Sequence, residues 1–216
     1  MGKPIVIAEQ FDDLEQQRDA STLGMWVFLA TEVMFFGALF LGYAVYRSLY
    51  PEVFAEASRH LNTLLGTINT AALLCSSLTM ALAVQAAQRG LRQRIVLFLL
   101  ATMALGVLFL GIKAFEYYLH YREQLMPLFG FPFVYDGSSP HNALLFFYLY
   151  YITTGLHALH LSLGIITVGV VALLTQRGWL WAQHSITVET VGLYWHFVDL
   201  VWIFLFPMLY LVKLRP

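Results

Sequence analysis

The sequence has too little charge for a soluble protein of its length. Its 216 residues include 12 lysines and arginines and 13 aspartates and glutamates, so that charged residues make up 12% and hydrophobic residues 59% of the chain. An ordinary soluble domain is about 25% charged and about 45–50% apolar. A domain of this size also leaves much of its surface exposed, and it could not hide so much apolar area from water. The composition therefore predicts a membrane protein.

Other absences exclude further classes of protein. The single cysteine, Cys75, excludes a disulfide framework and a CxxC redox or metal motif. The net charge of −1 offers no basic surface, so we expect no nucleic-acid partner. The sequence contains no glycine-rich phosphate loop. Its first apolar stretch, residues 4–8, is too short for a signal peptide and is followed by acidic residues.

Five segments are long and apolar enough to cross a bilayer as helices, which requires about 20 residues each. The predicted spans are residues 23–46, 62–87, 95–118, 142–174 and 187–212. They are apolar on nearly every face, whereas barrel strands alternate in polarity over about 10 residues. We therefore predict an all-α, multi-pass membrane protein. A bundle of five transmembrane helices occupies residues 23–212, and a polar segment, residues 1–22, precedes it.

Positive charge in the connections predicts the orientation of this bundle. The tight loop between the second and third spans contains Arg89, Arg92 and Arg94 and no acidic residue. Short loops rich in arginine stay on the cytoplasmic side. We therefore expect the N-terminal segment on the cytoplasmic side and the C-terminus on the opposite side.

The longest connection, residues 119–141, is rich in aromatic side chains. These are Phe129, Phe131, Phe133 and Tyr135. Two interpretations are open: a surface that contacts a partner, or an aromatic belt at the level of the lipid headgroups.

Glu32 is the most conspicuous ionisable residue inside a predicted span. A charge at the centre of a bilayer costs about 2.5–3.5 kcal/mol on insertion scales, so such groups face protein or water. No basic residue lies three or four positions away, so a charge partner must come from another helix or chain. Either Glu32 is a proton-exchanging carboxyl, or it is a protonated acid that is hydrogen-bonded to a neighbouring helix.

Two further pairs share a helix face because they are spaced by three residues. Lys113 and Glu116 can form an intrahelical ion pair. Their position near the end of the third span favours side chains that reach toward the membrane interface. His157 and His160 can either ligate a metal or haem or form hydrogen bonds between helices, and we favour the hydrogen bonds.

The fifth span contains Glu189, His196 and Asp199 close to one stripe of the helix. A polar stripe on an apolar helix indicates contact with protein rather than lipid. The same three residues are the candidates for additional ligands if His157 and His160 bind a metal. The physical argument thus predicts a five-helix bundle with buried polar groups.

Several separated motifs occur in an order that resembles a known family, subunit III of the haem–copper terminal oxidases. They are ATEVMFF at 30–36, NTAALLCSS at 69–77, EYY at 116–118, TGLHALH at 154–160 and YWHFVD at 194–199. The chain starts at the helix that carries Glu32, so it is similar to the five-helix form of this family, namely cytochrome c oxidase subunit III without two additional N-terminal helices.

The resemblance implies a non-catalytic subunit in a bacterial-type inner (plasma) membrane. In the family, subunit I carries haem and copper, reduces oxygen to water and pumps protons. Subunit III packs beside it together with other oxidase subunits, holds phospholipid and supports proton uptake and stability. Glu32 matches the family's intramembrane carboxyl, which implies a proton-related role. Glu116, His157, His160, Glu189, His196 and Asp199 match positions that are structural, so this chain is expected to have no active site, metal or cofactor of its own.

Three alternatives stay open. The chain can be subunit III of a quinol oxidase, or a homologue associated with nitric oxide reductase. From a different class, it can be a small proton-coupled transporter that uses Glu32 and the polar stripe of the fifth span. Transporters often contain internal repeats, and five spans without an evident repeat argue against this last class.

Overall fold

The computed structural model describes residues 13–128, 131, 133–137, 139–178 and 184–212. The regular secondary structure among these residues is helical. The helices are α1 (Leu14–Leu49), α2 (Pro51–Ser58), α3 (Thr63–Gln88), α4 (Arg92–Arg122), α5 (Pro140–Arg177) and α6 (His184–Tyr210). All except α2 contain a segment long and apolar enough to cross a membrane. The predicted all-α, multi-pass architecture is confirmed.

The helices are longer than the apolar segments that predicted them. α1 begins at Leu14 rather than at residue 23, so a single helix joins the polar segment to the membrane span. The Asp13 carboxylate caps this helix by accepting a hydrogen bond of 2.7 Å from the backbone N–H of Gln16. Hydropathy reports only the part of a helix that suits lipid, whereas backbone hydrogen bonding and caps determine where the helix ends.

The sequence analysis did not predict α2, because eight residues are too few for a membrane span. Pro51 occupies its first turn, where a missing N–H costs little. The Phe54 side chain is fully buried and makes edge-to-face contacts with Tyr43 and Phe146 at centroid distances of 5.4 Å each. This short helix thus attaches the end of α1 to α5.

Helix α6 lies at the centre of the bundle, against α1, α3 and α5, while α4 packs between α3 and α5. The Trp195 side chain of α6 is fully buried, and its Nε1 donates a hydrogen bond of 3.1 Å to the Ser76 hydroxyl on α3. A Cβ atom at Gly106 on α4 would lie 2.9 Å from the indole. Glycine at this position therefore allows the close helix approach that the indole requires.

The connection between α4 and α5 folds back onto the bundle. The Tyr135 ring is only 7% exposed, and it packs against Phe147 and His60. Burial, aided by the charge of Glu56, raises the pKa of the Tyr135 phenol to about 12. Tyr135 therefore belongs to the core. It lies neither on a surface that contacts a partner nor in an aromatic belt at the lipid headgroups, the two interpretations that the sequence left open. Phe131 is 40% exposed, and Phe129 lies outside the described residues.

Candidate functional site

Glu32 on α1 and His160 on α5 form a pair across the bundle. The carboxyl Oε2 lies 3.0 Å from the imidazole Nε2. Their side chains are 17% and 13% exposed, respectively. The partner thus comes from another helix, as the sequence spacing required.

The second ring nitrogen determines what this pair can do. His160 Nδ1 lies 2.8 Å from the carbonyl oxygen of Leu156, which can only accept a hydrogen bond, so Nδ1 carries a proton. A hydrogen bond between Nε2 and Glu32 then needs one further proton. That proton sits either on the carboxyl or on the imidazole. The geometry is that of an acid and a base that share a single proton.

Aromatic rings surround one side of the pair. The Phe36 ring lies edge-on to the His160 ring at a centroid distance of 5.2 Å. The Tyr194 hydroxyl donates a hydrogen bond of 2.9 Å to the backbone carbonyl of His160. These contacts fix the imidazole and leave the carboxyl at the edge of the bundle.

An apolar groove lies between α1 and α6, and has a volume of about 240 Å³. Its walls are hydrophobic apart from one glycine. The lining residues are Val33, Phe36, Gly37, Phe40, Phe197, Leu200, Val201 and Phe204. It begins next to Glu32 along α1 and continues toward the end of that helix. The groove is shaped to take an apolar chain.

Lys113 and Glu116 form the ion pair that their spacing predicted, but they do not reach the interface. The Lys113 Nζ lies 2.8 Å from Glu116 Oε2, and the two side chains are 4% and 1% exposed. Lys113 also donates hydrogen bonds to the hydroxyl oxygens of Tyr150 (3.0 Å) and Tyr210 (2.8 Å). The expectation of an interfacial pair was wrong, because partners on α5 and α6 satisfy both charges inside the bundle.

Aromatic faces complete the surroundings of the ammonium group. Lys113 Nζ lies 5.0–5.4 Å from the ring centroids of Tyr117, Tyr150, Trp202 and Tyr210. Cation–π attraction offsets part of the lost hydration. The Tyr210 hydroxyl in turn donates to the Glu116 carboxylate at 2.8 Å.

His157 behaves differently from His160. Its ring is buried between Trp202 and Phe109, at centroid distances of 5.3 and 5.5 Å. Neither ring nitrogen has a hydrogen-bond partner within the described part of the chain. The hydrogen bond between helices that we expected for both histidines is therefore present for His160 and absent for His157. No group of three or more histidine, cysteine, aspartate or glutamate side chains among the described residues is placed to hold a metal.

The three polar residues of α6 separate into two environments. Glu189 lies near the start of the helix, where it accepts a hydrogen bond from Gln88 (3.0 Å) and pairs with Arg18 (3.5 Å). Its side chain is 26% exposed, so it is not part of a buried stripe. His196 and Asp199 lie deeper and both face Ser77 of α3.

Sequence reasoning missed the tyrosines that complete the Lys113 pair. Tyr150 and Tyr210 are 37 and 97 residues from Lys113 in the chain. No spacing rule connects residues so far apart. The only available signal was that a buried lysine requires several acceptors.

These features define a class of protein: an integral membrane bundle of helices that holds ionisable side chains in its interior. The family described as Cytochrome c oxidase subunit III matches residues 12–213. The chain therefore belongs to this family of haem–copper oxidase subunits, and the resemblance seen in the sequence motifs is confirmed. The transporter alternative is not favoured.

Relatives of the chain cover most of its length. Quinol oxidase subunit 3 of Bacillus subtilis (strain 168) is 31% identical over 198 residues, which cover 89% of this chain and 87% of the relative. Cytochrome c oxidase subunit 3 of Corynebacterium diphtheriae is 33% identical, and the alignment covers 89% of this chain and 88% of the relative. Heme-copper oxidase subunit I+III of Aeropyrum pernix is 30% identical, with 90% of this chain and 23% of that longer relative covered.

Proposed function

We propose that the chain is the non-catalytic subunit III of a proton-pumping cytochrome c oxidase. In this proposal it packs directly against subunit I, the expected location of haem and copper, and sustains proton uptake and the stability of that subunit. The Aeropyrum pernix relative, whose name joins subunits I and III, supports this neighbourhood. The Glu32–His160 pair carries the proposal for proton uptake.

The position of the pair suits a proton-related role. Glu32 lies near the middle of α1, at about 25 Å from each end of this long helix for a rise of about 1.5 Å per residue. The shared proton can pass between the carboxyl and the imidazole while the pair keeps a net charge of zero. Its release leaves one negative charge on the carboxylate, so release requires water or a polar group nearby. The partial exposure of both side chains supports exchange with a neighbouring subunit or with water.

Phospholipid fits the groove between α1 and α6. A second cavity, lined by Tyr43, Ala44, Arg47, Ser48 and Met208, lies further along the same two helices. The acyl chain of one phospholipid would lie in the apolar groove, and its phosphate would lie near the Arg47 guanidinium in the second cavity. The proposal places the chain in a bacterial-type plasma membrane with its N-terminus on the cytoplasmic side. The loop arginines support this orientation.

Two substitutions of Glu32 in the intact oxidase test the proton-related role. Glu32→Gln keeps a group that can hydrogen-bond to His160 but cannot titrate, whereas Glu32→Ala removes both properties. We expect both variants to retain most of the initial oxygen reduction and to lose proton uptake or catalytic lifetime. Turnover over prolonged assay and proton uptake by reconstituted vesicles measure these outcomes.

Thr31→Ala is the matched control, because the Thr31 hydroxyl donates a hydrogen bond to the Phe28 carbonyl of its own helix. It should behave like the wild type. If Glu32→Gln also behaves like the wild type while Glu32→Ala fails, the carboxyl serves structure rather than proton exchange. Unchanged turnover and pumping in both Glu32 variants would refute the role altogether.

A further inference from the structure

The last turn of α4 borders a small pocket. The pocket has a volume of about 260 Å³, and its lining residues belong to α4 and to the connection that follows this helix. They are Tyr121, Arg122, Gln124, Met126 and Phe131. The groove between α1 and α6 lies on other helices, so the two cavities are distinct. We name this cavity the α4 pocket.

The length of α4 places the pocket at the level of the lipid headgroups. The 31 residues of this helix extend about 46 Å at about 1.5 Å per residue. The hydrocarbon core of a bilayer is about 30 Å thick, and the headgroup regions bring the total to about 40–45 Å. When α4 is centred in the bilayer, its last residue, Arg122, therefore lies beyond the hydrocarbon core, among the phosphate groups.

Backbone hydrogen bonds fix the turn that forms one wall of the pocket. Gln124 has a φ of 56°, in the left-handed region that a residue with a side chain rarely occupies. Its carbonyl accepts a hydrogen bond of 3.0 Å from the Val134 N–H, and the Leu125 N–H donates one of 3.0 Å to the His120 carbonyl. These bonds tie the connection to α4, so the pocket is formed before a ligand binds.

The pocket offers a complement to both charges of a zwitterionic headgroup. Arg122 is exposed and has no ion-pair partner within the described part of the chain, so its guanidinium is free to bind a phosphate. The Tyr121 and Phe131 rings lie edge-to-face at a centroid distance of 5.1 Å, and both are exposed. Aromatic faces attract an ammonium group, and the C-terminal end of a helix also favours a cation.

An exposed surface leads from the pocket toward the middle of the bilayer. Tyr118 and Phe115 are exposed four and seven residues before Arg122, and so they share its side of α4. A lipid whose headgroup occupies the pocket can place its acyl chains along this surface. A free anion would make no use of it, so a phospholipid fits the whole site better than inorganic phosphate does.

We propose that the α4 pocket binds a phospholipid with an ammonium headgroup, of the phosphatidylethanolamine class, in the outer leaflet. The phosphate binds the Arg122 guanidinium, the ammonium lies against the Tyr121 and Phe131 rings, and the acyl chains follow the exposed side of α4. The site is separate from the Glu32–His160 pair and so goes beyond the proposed function. Only the choice of leaflet rests on the orientation proposed there.

Native mass spectrometry of the full chain in mild detergent tests the site. Titration with phosphatidylethanolamine gives the apparent Kd of the lipid that stays bound. Arg122→Gln should weaken this binding about 5-fold, which corresponds to about 1 kcal/mol for one arginine near a phosphate. Arg59→Gln is the matched control, because Arg59 is also exposed and precedes His60, which contacts the connection after α4 through Tyr135. Arg59 does not line the pocket, so this variant should bind like the wild type.

Phosphatidylglycerol separates the two polar contacts, because it has the same phosphate but no ammonium. Phe131→Leu should weaken the binding of phosphatidylethanolamine about 2- to 5-fold, the range for one exposed cation–π contact. It should leave the binding of phosphatidylglycerol unchanged, whereas Arg122→Gln should weaken the binding of both lipids. If Phe131→Leu weakens both lipids equally, the ring makes only an apolar contact and the assignment of the ammonium is wrong.

Two other results would overturn the proposal as a whole. One is wild-type affinity for phosphatidylethanolamine in Arg122→Gln. The other is displacement of the bound lipid by millimolar inorganic phosphate, which would indicate a site for a free anion. Neither result bears on the proposed function, because the assays of proton uptake and catalytic lifetime concern Glu32, on a different helix.

Discussion

Removal of the Lys113 ammonium should destabilise the bundle far more than loss of a surface charge. In Lys113→Met, Glu116 loses its 2.8 Å partner but keeps the hydrogen bond from the Tyr210 hydroxyl. Loss of one member of a buried ion pair costs about 3–5 kcal/mol. Because the Tyr210 hydroxyl still bonds to Glu116, we expect a loss in the free energy of unfolding at the lower end of this range, about 3 kcal/mol.

The double variant Lys113→Met/Glu116→Leu should recover most of this loss. Replacement of a whole buried pair by apolar side chains is often neutral. The Tyr150 and Tyr210 hydroxyls, 3.3 Å apart, can still bond to each other. We therefore expect the double variant to lie within about 1 kcal/mol of the wild type.

Arg18→Met is the matched control, because it removes a cation from a pair whose side chains are 58% and 26% exposed. An exposed pair contributes about 0–1 kcal/mol. Unfolding of the purified chain in mixed detergent micelles, followed by circular dichroism, gives the free energies. A loss below about 1 kcal/mol in Lys113→Met, or a double variant less stable than the single one, would refute the reasoning.

Three further predictions address packing, orientation and cofactors. Gly106→Ala should lower the free energy of unfolding by about 1–3 kcal/mol, because the added Cβ would lie 2.9 Å from the buried Trp195 indole. Gly37→Ala is the control and should be nearly neutral, because nothing lies within 4 Å of its added Cβ. Thermal unfolding compares the two variants. In a Cys75→Ser background, an impermeant thiol reagent should label Glu123→Cys in intact cells and Arg89→Cys only after lysis; the reverse pattern would invert the orientation. Elemental analysis of the isolated chain should find no stoichiometric iron or copper, and either metal at one equivalent would contradict a cofactor-free subunit.

Sequence patterns predicted the polar groups but only part of their surroundings. The spacing of Lys113 and Glu116 indicated their ion pair, because residues three apart on a helix are neighbours. The same rule could not show that Tyr210, 97 residues from Lys113, would keep the pair away from the interface. It also grouped Glu189 with His196 and Asp199, although Glu189 pairs with residues at the ends of α1 and α3.

The order of the amino acids was sufficient to predict a membrane protein with five spans and its resemblance to one oxidase family. Hydropathy and motif order depend only on residues close together in the chain, so they need no coordinates. The three-dimensional fold, in contrast, brings Glu32 to His160, attaches α1 to α5 through α2, and buries Asp199 beside Ser77. A hydrogen bond requires its donor and acceptor to lie within a few tenths of an ångström of the ordinary separation. The packing of helices that are far apart in the chain sets these separations.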